Sequence, residues 1–385
     1  MHVEVEDVVR ERYTQGARKR EDSLCCPTNY RAQYLLVLPE EIIERDYGCG
    51  DPSAYVHEGE TVLDLGSGGG KICYIVAQIV GPSGQVIGID MNDEMLALAR
   101  RYQPDITSRL GYDNVSFRRG KIQDLRTDLD AVDAYLRVHP VASAADFAQL
   151  ERFLAEQRRE RPLVADQSVD VVVSNCVLNL VRDEDRQALF AEIFRVLRRG
   201  GRAVISDIVS DEPVPDSLKQ DPDLWSGCIA GAFQESAFLD AFAAAGFYGI
   251  ELLKRDEPPW RTIDGIEFRA VTVSAWKGKE GACWDHNQAV IYRGPWSEVR
   301  DDDGHTLRRG TPMAVCEKTF RLYTQEPYAR DIVPVEPRVA VTADTVKPFD
   351  CAHDAVRHPR ETKGLDYQVT TEAATACCGN NGSCG

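Results

Sequence analysis

The run Asp64-Leu65-Gly66-Ser67-Gly68-Gly69-Gly70 constrains this chain more than any other stretch. It follows Thr61-Val62-Leu63, whose β-branched and apolar side chains read as a buried strand. It precedes Lys71–Val80, where apolar residues recur at helical spacing until Gly81-Pro82 stops them. The glycines therefore sit on a strand-to-helix turn. Without Cβ atoms such a turn accepts positive φ and lets a ligand approach the backbone. The helix start behind it offers N–H groups and a positive dipole end to a carboxylate or phosphate.

Three cofactor families use such a turn. A Walker A loop needs Gly-x-x-x-x-Gly-Lys-[Ser/Thr]. Leu65 stands at its first glycine and Ile72 at its hydroxyl position, so magnesium-nucleotide binding fails twice. A dinucleotide turn needs Gly-x-Gly-x-x-Gly, and Lys71 occupies the third glycine. What remains is Asp64-x-Gly66-Ser67-Gly68-x-Gly70, which resembles motif I of class I S-adenosylmethionine (SAM) methyltransferases. The next strand, Gln85–Asp90, ends in an acid 20 residues beyond Gly70. A carboxylate at that strand tip accepts ribose hydroxyls in nucleoside-binding α/β folds. Met91 follows and is expected to cover the adenine.

The chain has 385 residues and a formal charge of −17. At roughly 150 residues per domain it makes two or three domains. The acidic balance argues against a nucleic-acid partner, because phosphate binding needs a basic face. No apolar run approaches the roughly 18 residues of a membrane span. The acidic start Met1-His2-Val3-Glu4-Val5-Glu6 lacks a signal-peptide apolar region, so the expected location is the cytoplasm. Twelve cysteines in a cytoplasmic chain are not a disulfide framework, and no Cys-x-x-Cys pair occurs to suggest structural zinc.

The expected fold is α/β: a Rossmann-like, mostly parallel sheet with helices on both faces, followed by a small β-rich C-terminal domain. Residues 1–45 read as a helical lead-in carrying Cys25 and Cys26. Residues 46–210 form the cofactor domain, with further strands at Asn114–Phe117, Ser168–Val173 and Arg202–Asp207. Its last helix is expected over Asp185–Arg199, closed by Gly200-Gly201. A helical insertion at 127–164 interrupts the alternation. Residues 211–280 complete the sheet with helix Glu235–Ala245 and strands near Ile250–Leu253 and Ala270–Trp276. Residues 281–365 form the small domain, and 366–385 a flexible cysteine-containing tail.

Methyl transfer from a sulfonium needs an aligned nucleophile and no general acid. Cys176 lies just past the carboxyl end of a strand, the edge where open α/β sheets bind ligands. Cys228 sits beside Gly227 and near Trp225. On spacing alone each reads first as a small buried core residue and only second as a ligand.

Several segments together resemble the arsenite SAM-methyltransferase family. They are Asp46-Tyr47-Gly48-Cys49-Gly50, the turn from Asp64 to Cys73-Tyr74, Ser174-Asn175-Cys176, Ser206-Asp207-Ile208, the Trp-x-Gly-Cys run ending at Cys228, the C-terminal domain and the Cys-Cys-Gly tail. The resemblance implies that Cys176 and Cys228 bind trivalent arsenic. It also implies a disulfide relay using Cys73 and one of Cys25 and Cys26, regenerated by a thiol reductant of the thioredoxin or glutathione type. Thiolate is the ligand a soft arsenic(III) prefers. The expected cofactor contacts are Tyr47, Asp64, Gly66, Ser67, Gly68, Gly70, Asp90, Met91, Ile122 and Asn175. For Tyr47 plain packing is an equal alternative, and Ile122 with Gln123 reads nearly as well as a surface loop. Cys49, Cys283, Cys316 and Cys351 carry no assigned role. The chain departs from the family in Lys71-Ile72 before Cys73, in the insertion, and in Leu178, where some members carry a second cysteine. Two rival functions remain: methylation of an ordinary small molecule, and thiol-based metalloid binding without catalysis.

Overall fold

A computed structural model describes residues 5–21 and 28–372. The chain divides into two compact units, Met1–Gly278 and Lys279–Gly385. Cys25, Cys26 and the tail cysteines lie outside the described residues.

The first unit is built on a nine-stranded sheet. Its strands are β1 (Thr61–Leu65), β2 (Gln85–Asp90), β3 (Val115–Arg119), β4 (Val169–Asn175), β5 (Leu197–Ser210), β6 (Phe233–Gln234), β7 (Tyr248–Arg255), β8 (Arg261–Ile263) and β9 (Ile266–Trp276). The main order is β3-β2-β1-β4-β5-β9-β7. β1 to β5 are parallel, whereas β9 runs antiparallel to both β5 and β7. The order reverses at β1, so the carboxyl ends of β1 and β4 open a crevice where a ligand binds in such sheets. β1 and β4 are apolar because both their faces are covered. One face packs around Leu63, Val172, Phe190 and Phe242, the other around Tyr74, Leu96, Val171 and Val204.

Gly70 sets the angle at which helix Lys71–Val80 leaves the turn. Its φ is 86°. A Cβ there would meet Phe117 at 2.9 Å, Tyr74 at 3.0 Å and Ala99 at 3.1 Å. Helix Asp93–Leu110 is capped by Asn92, which accepts from Glu94 N and Met95 N, and closes at left-handed Gly111. The segment 127–164 contributes helices Leu129–Val138 and Ala144–Glu160, largely exposed apart from Gln157.

One local expectation is corrected. The helix expected to reach Arg199 ends at Val196, and Leu197 already belongs to β5. Lys277 explains the early stop. Its ammonium donates to Phe194 O at 2.6 Å and Leu197 O at 2.7 Å, taking up carbonyls that further helix would have paired. Gly200, at φ 83°, then lies inside β5, where the register against β4 jumps between Val169 and Val171.

The second unit contains β10 (Trp284–Asp285), β11 (Ala289–Tyr292), β12 (Glu298–Arg300), β13 (Thr306–Arg308), β14 (Pro312–Ala314), β15 (Ile332–Val335) and β16 (Lys347–Pro348). The order β14-β11-β15 makes an antiparallel sheet; β10 with β16 and β12 with β13 make two-stranded ribbons. Buried Arg357 ties it together, reaching Asp285 at 2.6 Å, Glu361 at 2.9 Å and Gln288 O at 3.2 Å.

Two glycine substitutions separate strain from crowding. Gly111→Ala meets only the unfavourable φ, since nothing lies within 4 Å, and should cost about 1 kcal/mol. Gly70→Ala adds the clash with Phe117, Tyr74 and Ala99 and should cost about 2–4 kcal/mol. Urea denaturation of both variants checks this; equal costs would mean that helix–sheet packing does not depend on Gly70.

Candidate functional site

The glycine turn is built around Asp90. Gly66 N and Ser67 N both donate to Ile89 O, at 2.8 and 2.9 Å, curling the chain off β1. Gly68 N donates to Asp90 Oδ2 and Asn92 N to Asp90 Oδ1, both at 2.8 Å. Those bonds fix the Asp90 carboxylate at the tip of β2 with acceptor capacity left over. The turn lines a cleft containing about 1070 Å³ of empty space, part of it open to solvent. Asp64, Gly66, Ser67, Gly68 and Gly69 form its floor, and Asp90, Met91, Ile122 and Gln123 one wall. Gly66 is needed because Val177 comes so close that a Cβ would lie 2.4 Å from its side chain. Ser67 Oγ is buried in this floor without a partner, a polar atom that a bound polar group would satisfy.

A helix from the lead-in, Val5–Arg18, covers the cleft. Its Glu6, Val9, Arg10 and Tyr13 join the lining. It is fastened at several points. Lys121 pairs with Glu6 at 2.6 Å, and Asn92 Nδ2 donates to Arg10 O and Thr14 Oγ1 at 3.0 Å. Tyr47 donates to Gly16 O at 3.0 Å, and Arg12 donates to Ser226 Oγ at 2.8 Å. In the sequence this segment reads as a helical lead-in carrying Cys25 and Cys26, with no part in the cleft. Nothing local in it signals a lid, since its role depends on partners distant in the chain.

The thiols gather at the other end of the cleft. Cys176 follows β4 directly and lines the cleft. Cys49 Sγ, Cys176 Sγ and a carboxylate oxygen of Asp207 lie within 4.8 Å of one another. The Cys228 thiol donates to Cys176 O at 3.2 Å. Cys176 and Cys228 have φ of 63° and 61°. Cysteine rarely adopts that region, and such strain persists where surrounding structure enforces it. Here Cys176 N is held by Ser206 O at 2.8 Å and Cys228 N by Trp225 O at 3.1 Å. Asp207 holds the loop after Cys176, accepting from Leu178 N at 2.9 Å and Asn179 Nδ2 at 2.8 Å. Among the described residues the cysteines form no disulfide.

Tyr47, Asp64, Gly66, Ser67, Gly68, Asp90, Met91, Ile122, Asn175 and Cys176 all line the cleft. Gly70 does not; it serves helix packing. Asn175 faces the cleft, but its carboxamide is engaged by Cys49 N, Gly50 N and Gly50 O at 2.8–3.0 Å and by Tyr30. Tyr47 stands edge-on to Tyr13, with ring centroids 6.0 Å apart. Cys73 lies away from the other thiols. It is fully buried in the apolar cluster around helix Lys71–Val80, apart from the cluster that contains Cys49, Cys176 and Cys228. Its thiol donates to Asp64 Oδ2 at 3.2 Å, and burial and then the Asp64 charge push its pKa well up. Cys49 stands in the thiol cluster instead. The missed signal was its position between Gly48 and Gly50, which lets the turn lie flat against β4 and β5.

Burial dominates the electrostatics. It raises Asp64 to about 7, with the Cys73 hydrogen bond opposing and the charges of Asp46 and Asp90 adding to it. It raises Asp207 to about 7 as well, opposed by the N–H groups of Ile208 and Leu178. Tyr13 is raised by burial first and then by the Cys228 and Cys176 thiols beside it.

A family described as a methyltransferase domain matches residues 56–159 and 142–246, and a domain of unknown function matches 279–367. The chain is 32% identical over 383 residues to an arsenite methyltransferase of Aquipseudomonas alcaligenes, covering 94% of this chain and 96% of that one. It is 27% identical over 361 residues to the human arsenite methyltransferase, covering 90% and 86%. The crystal structure of an arsenic(III) S-adenosylmethionine methyltransferase from Chlamydomonas reinhardtii aligns with a TM-score of 0.55 at 27% identity, covering 84% of this chain and all of that one.

The buried acids give the fold a testable pH dependence. A carboxyl raised from 3.8 to about 7 holds its proton more tightly folded than unfolded. Its contribution is fully present below about pH 4 and is lost as pH rises to 7, by up to about 4 kcal/mol. Asp64→Asn removes that loss and still accepts from Cys73. Its stability relative to wild type should therefore climb between pH 5 and pH 8 in denaturant titrations. A constant difference would contradict the raised pKa.

Proposed function

The chain belongs to the arsenite methyltransferase family, and we propose that it methylates trivalent arsenic held by Cys49, Cys176 and Cys228, with SAM as methyl donor. The observation that carries this reading is the meeting of the thiols with the glycine-turn cleft. Cys176 belongs to both.

The cleft fits SAM in its donor set. Asp90, aimed by Gly68 and Asn92, suits a ribose diol, and Met91 and Ile122 offer apolar surface to a base. Ser67 Oγ supplies a buried polar partner, and Asp64 on the floor, raised to about 7 by burial, pairs with the cationic end of the molecule once that charge draws its proton off. When bound, SAM supplies a methyl group on a positively charged sulfur that leaves as a neutral thioether.

The acceptor is handled by the chain's own thiols. Arsenous acid exchanges three hydroxyls for three cysteine sulfurs; three waters leave, and the product is neutral. That neutrality suits a buried site. Asp207, partly protonated near neutral pH, adds little charge beside it. The strained backbone at Cys176 and Cys228 fixes where the sulfurs point, and so where the arsenic lone pair faces. Such alignment is the main barrier-lowering contribution open to a displacement at carbon. Helix Val5–Arg18 lines the same space.

Attack by the lone pair forms an arsenic–carbon bond and leaves arsenic at the pentavalent level. Two thiols return it to the trivalent level by becoming a disulfide, which a thioredoxin- or glutathione-type reductant reopens. In this scheme Cys49 takes the relay place first given to Cys73. Cys25 and Cys26 remain its candidate partners from the lead-in.

Incubation with SAM, arsenite and thiol, followed by chromatographic speciation, tests the scheme. Cys176→Ser and Cys228→Ser should each lower methylation by about 10²-fold or more, and Cys49→Ser should nearly abolish it with inorganic arsenite. Cys73→Ser should keep activity near wild type while costing about 1 kcal/mol of stability. An inactive Cys73→Ser beside an active Cys49→Ser would return the relay to Cys73. SAM binding with no arsenic methylated by wild type would favour a different acceptor.

A further inference from the structure

The C-terminal unit has a thiol cluster of its own. The Sγ atoms of Cys283, Cys316 and Cys351 lie within 4.8 Å of one another. They arrive from three separate segments. Cys283 precedes β10 and Cys351 follows β16. The pairing of Trp284 with Pro348 and Asp285 with Lys347 brings these two ends together, and Phe349 N donates to Cys283 O at 2.9 Å. Cys316 is the residue before helix Glu317–Tyr323. Gln288 Nε2 holds that junction by donating to Val315 O at 2.7 Å.

Packing accounts for Cys316, which is fully buried, but not for Cys283 and Cys351, which are only partly so. The thiols also interact. Burial opposes ionisation of Cys283, yet the Cys351 and Cys316 thiols and the Lys318 ammonium bring it below its ordinary value. Cys316 Sγ lies 3.2 Å from Thr319 Oγ1 and accepts from Thr319 N at 3.4 Å.

We propose that Cys283, Cys316 and Cys351 form a binding site for a trivalent thiophilic metalloid, arsenic(III) being the species at hand. Two features choose this class. Zinc takes four ligands in structural sites, and among the described residues no fourth cysteine, histidine or carboxylate joins this set. Three thiolates around zinc also leave a net negative charge, whereas three around a trivalent centre leave none, which a site anchored on a buried sulfur favours. Three sulfur–arsenic bonds form, three arsenic–oxygen bonds break and three waters leave, with no change of oxidation state. Metal–sulfur bonds of about 2.3 Å place sulfurs roughly 3.5–4 Å apart. The thiols therefore need only small rotations to close on the ion. The site rests on the geometry of the C-terminal unit and not on the methylation scheme.

The test uses the full chain carrying Cys176→Ser and Cys228→Ser, compared with the same chain carrying Cys283→Ser, Cys316→Ser and Cys351→Ser in addition. Both are equilibrated with arsenite under a monothiol reductant, desalted and assayed for arsenic by elemental mass spectrometry. The expected result is one arsenic fewer per chain in the second protein, with three-sulfur coordination at the arsenic absorption edge in the first. Cys351→Ser alone, at a partly exposed position, should weaken retention by about tenfold or more, which covers the case in which the triple change unfolds the unit. Equal arsenic in all three proteins overturns the proposal, as does displacement of the arsenic by stoichiometric zinc. Wild-type methylation measured in parallel separates its failure from failure of the catalytic reading.

Discussion

The carboxamide of Asn175 is the interaction on which the site depends. At the end of β4 it accepts from Cys49 N and Gly50 N and donates to Gly50 O and the Tyr30 hydroxyl. A carboxamide alone among neutral side chains offers both acceptor and donors in one plane, so one side chain saturates an entire turn. The turn fits only because of its glycines. A Cβ on Gly48 would stand 2.1 Å from Asn175 Nδ2, and one on Gly50 2.5 Å from Ser206 Oγ. The consequence is that Cys49 is set against Cys176 and Tyr47 against the cleft.

Lys71 holds the same turn from the other side. It is buried, pairs with Asp46 at 2.9 Å and lies 4.0 Å from the centre of the Tyr30 ring. The residue that rules out a dinucleotide turn thus anchors the segment carrying a thiol. A buried ion pair of this kind is weak support for stability, but removal of one partner leaves a costly unpaired charge. Its effect is to fix one arrangement of the turn. Asp207 does the equivalent for the loop after Cys176, and the raised pKa of both Asp64 and Asp207 is the energetic consequence of putting acids where water is excluded.

Much of this was legible in residue order. The strand-glycine-helix unit, Asp90 at the next strand tip and the placement of Cys176 at a sheet edge all follow from local periodicity and turn chemistry. The boundary at Val196 was not legible, because the lysine that ends that helix lies in β9's wake at position 277. Cys73 and Cys49 show the limit more sharply. Each lies in or just after a glycine-bearing turn, but the side chain that orients the turn of Cys49 is Asn175, far along the chain. Helical phase turns Cys73 inward to Asp64; the bonds of Asn175 turn Cys49 toward Cys176. The cover supplied by helix Val5–Arg18 was invisible for the same reason.

By itself the sequence determined the sheet-building units, the cofactor turn and the place of Cys176 at a strand end, because each is encoded by neighbours a few residues apart. Only the tertiary structure brought Cys49 beside Cys176, gave Gly70 its part in helix packing, and made Cys283, Cys316 and Cys351 converge. Those outcomes depend on hydrogen bonds and strand pairings between residues far apart in the chain, where spacing along the sequence carries no information about spacing in space.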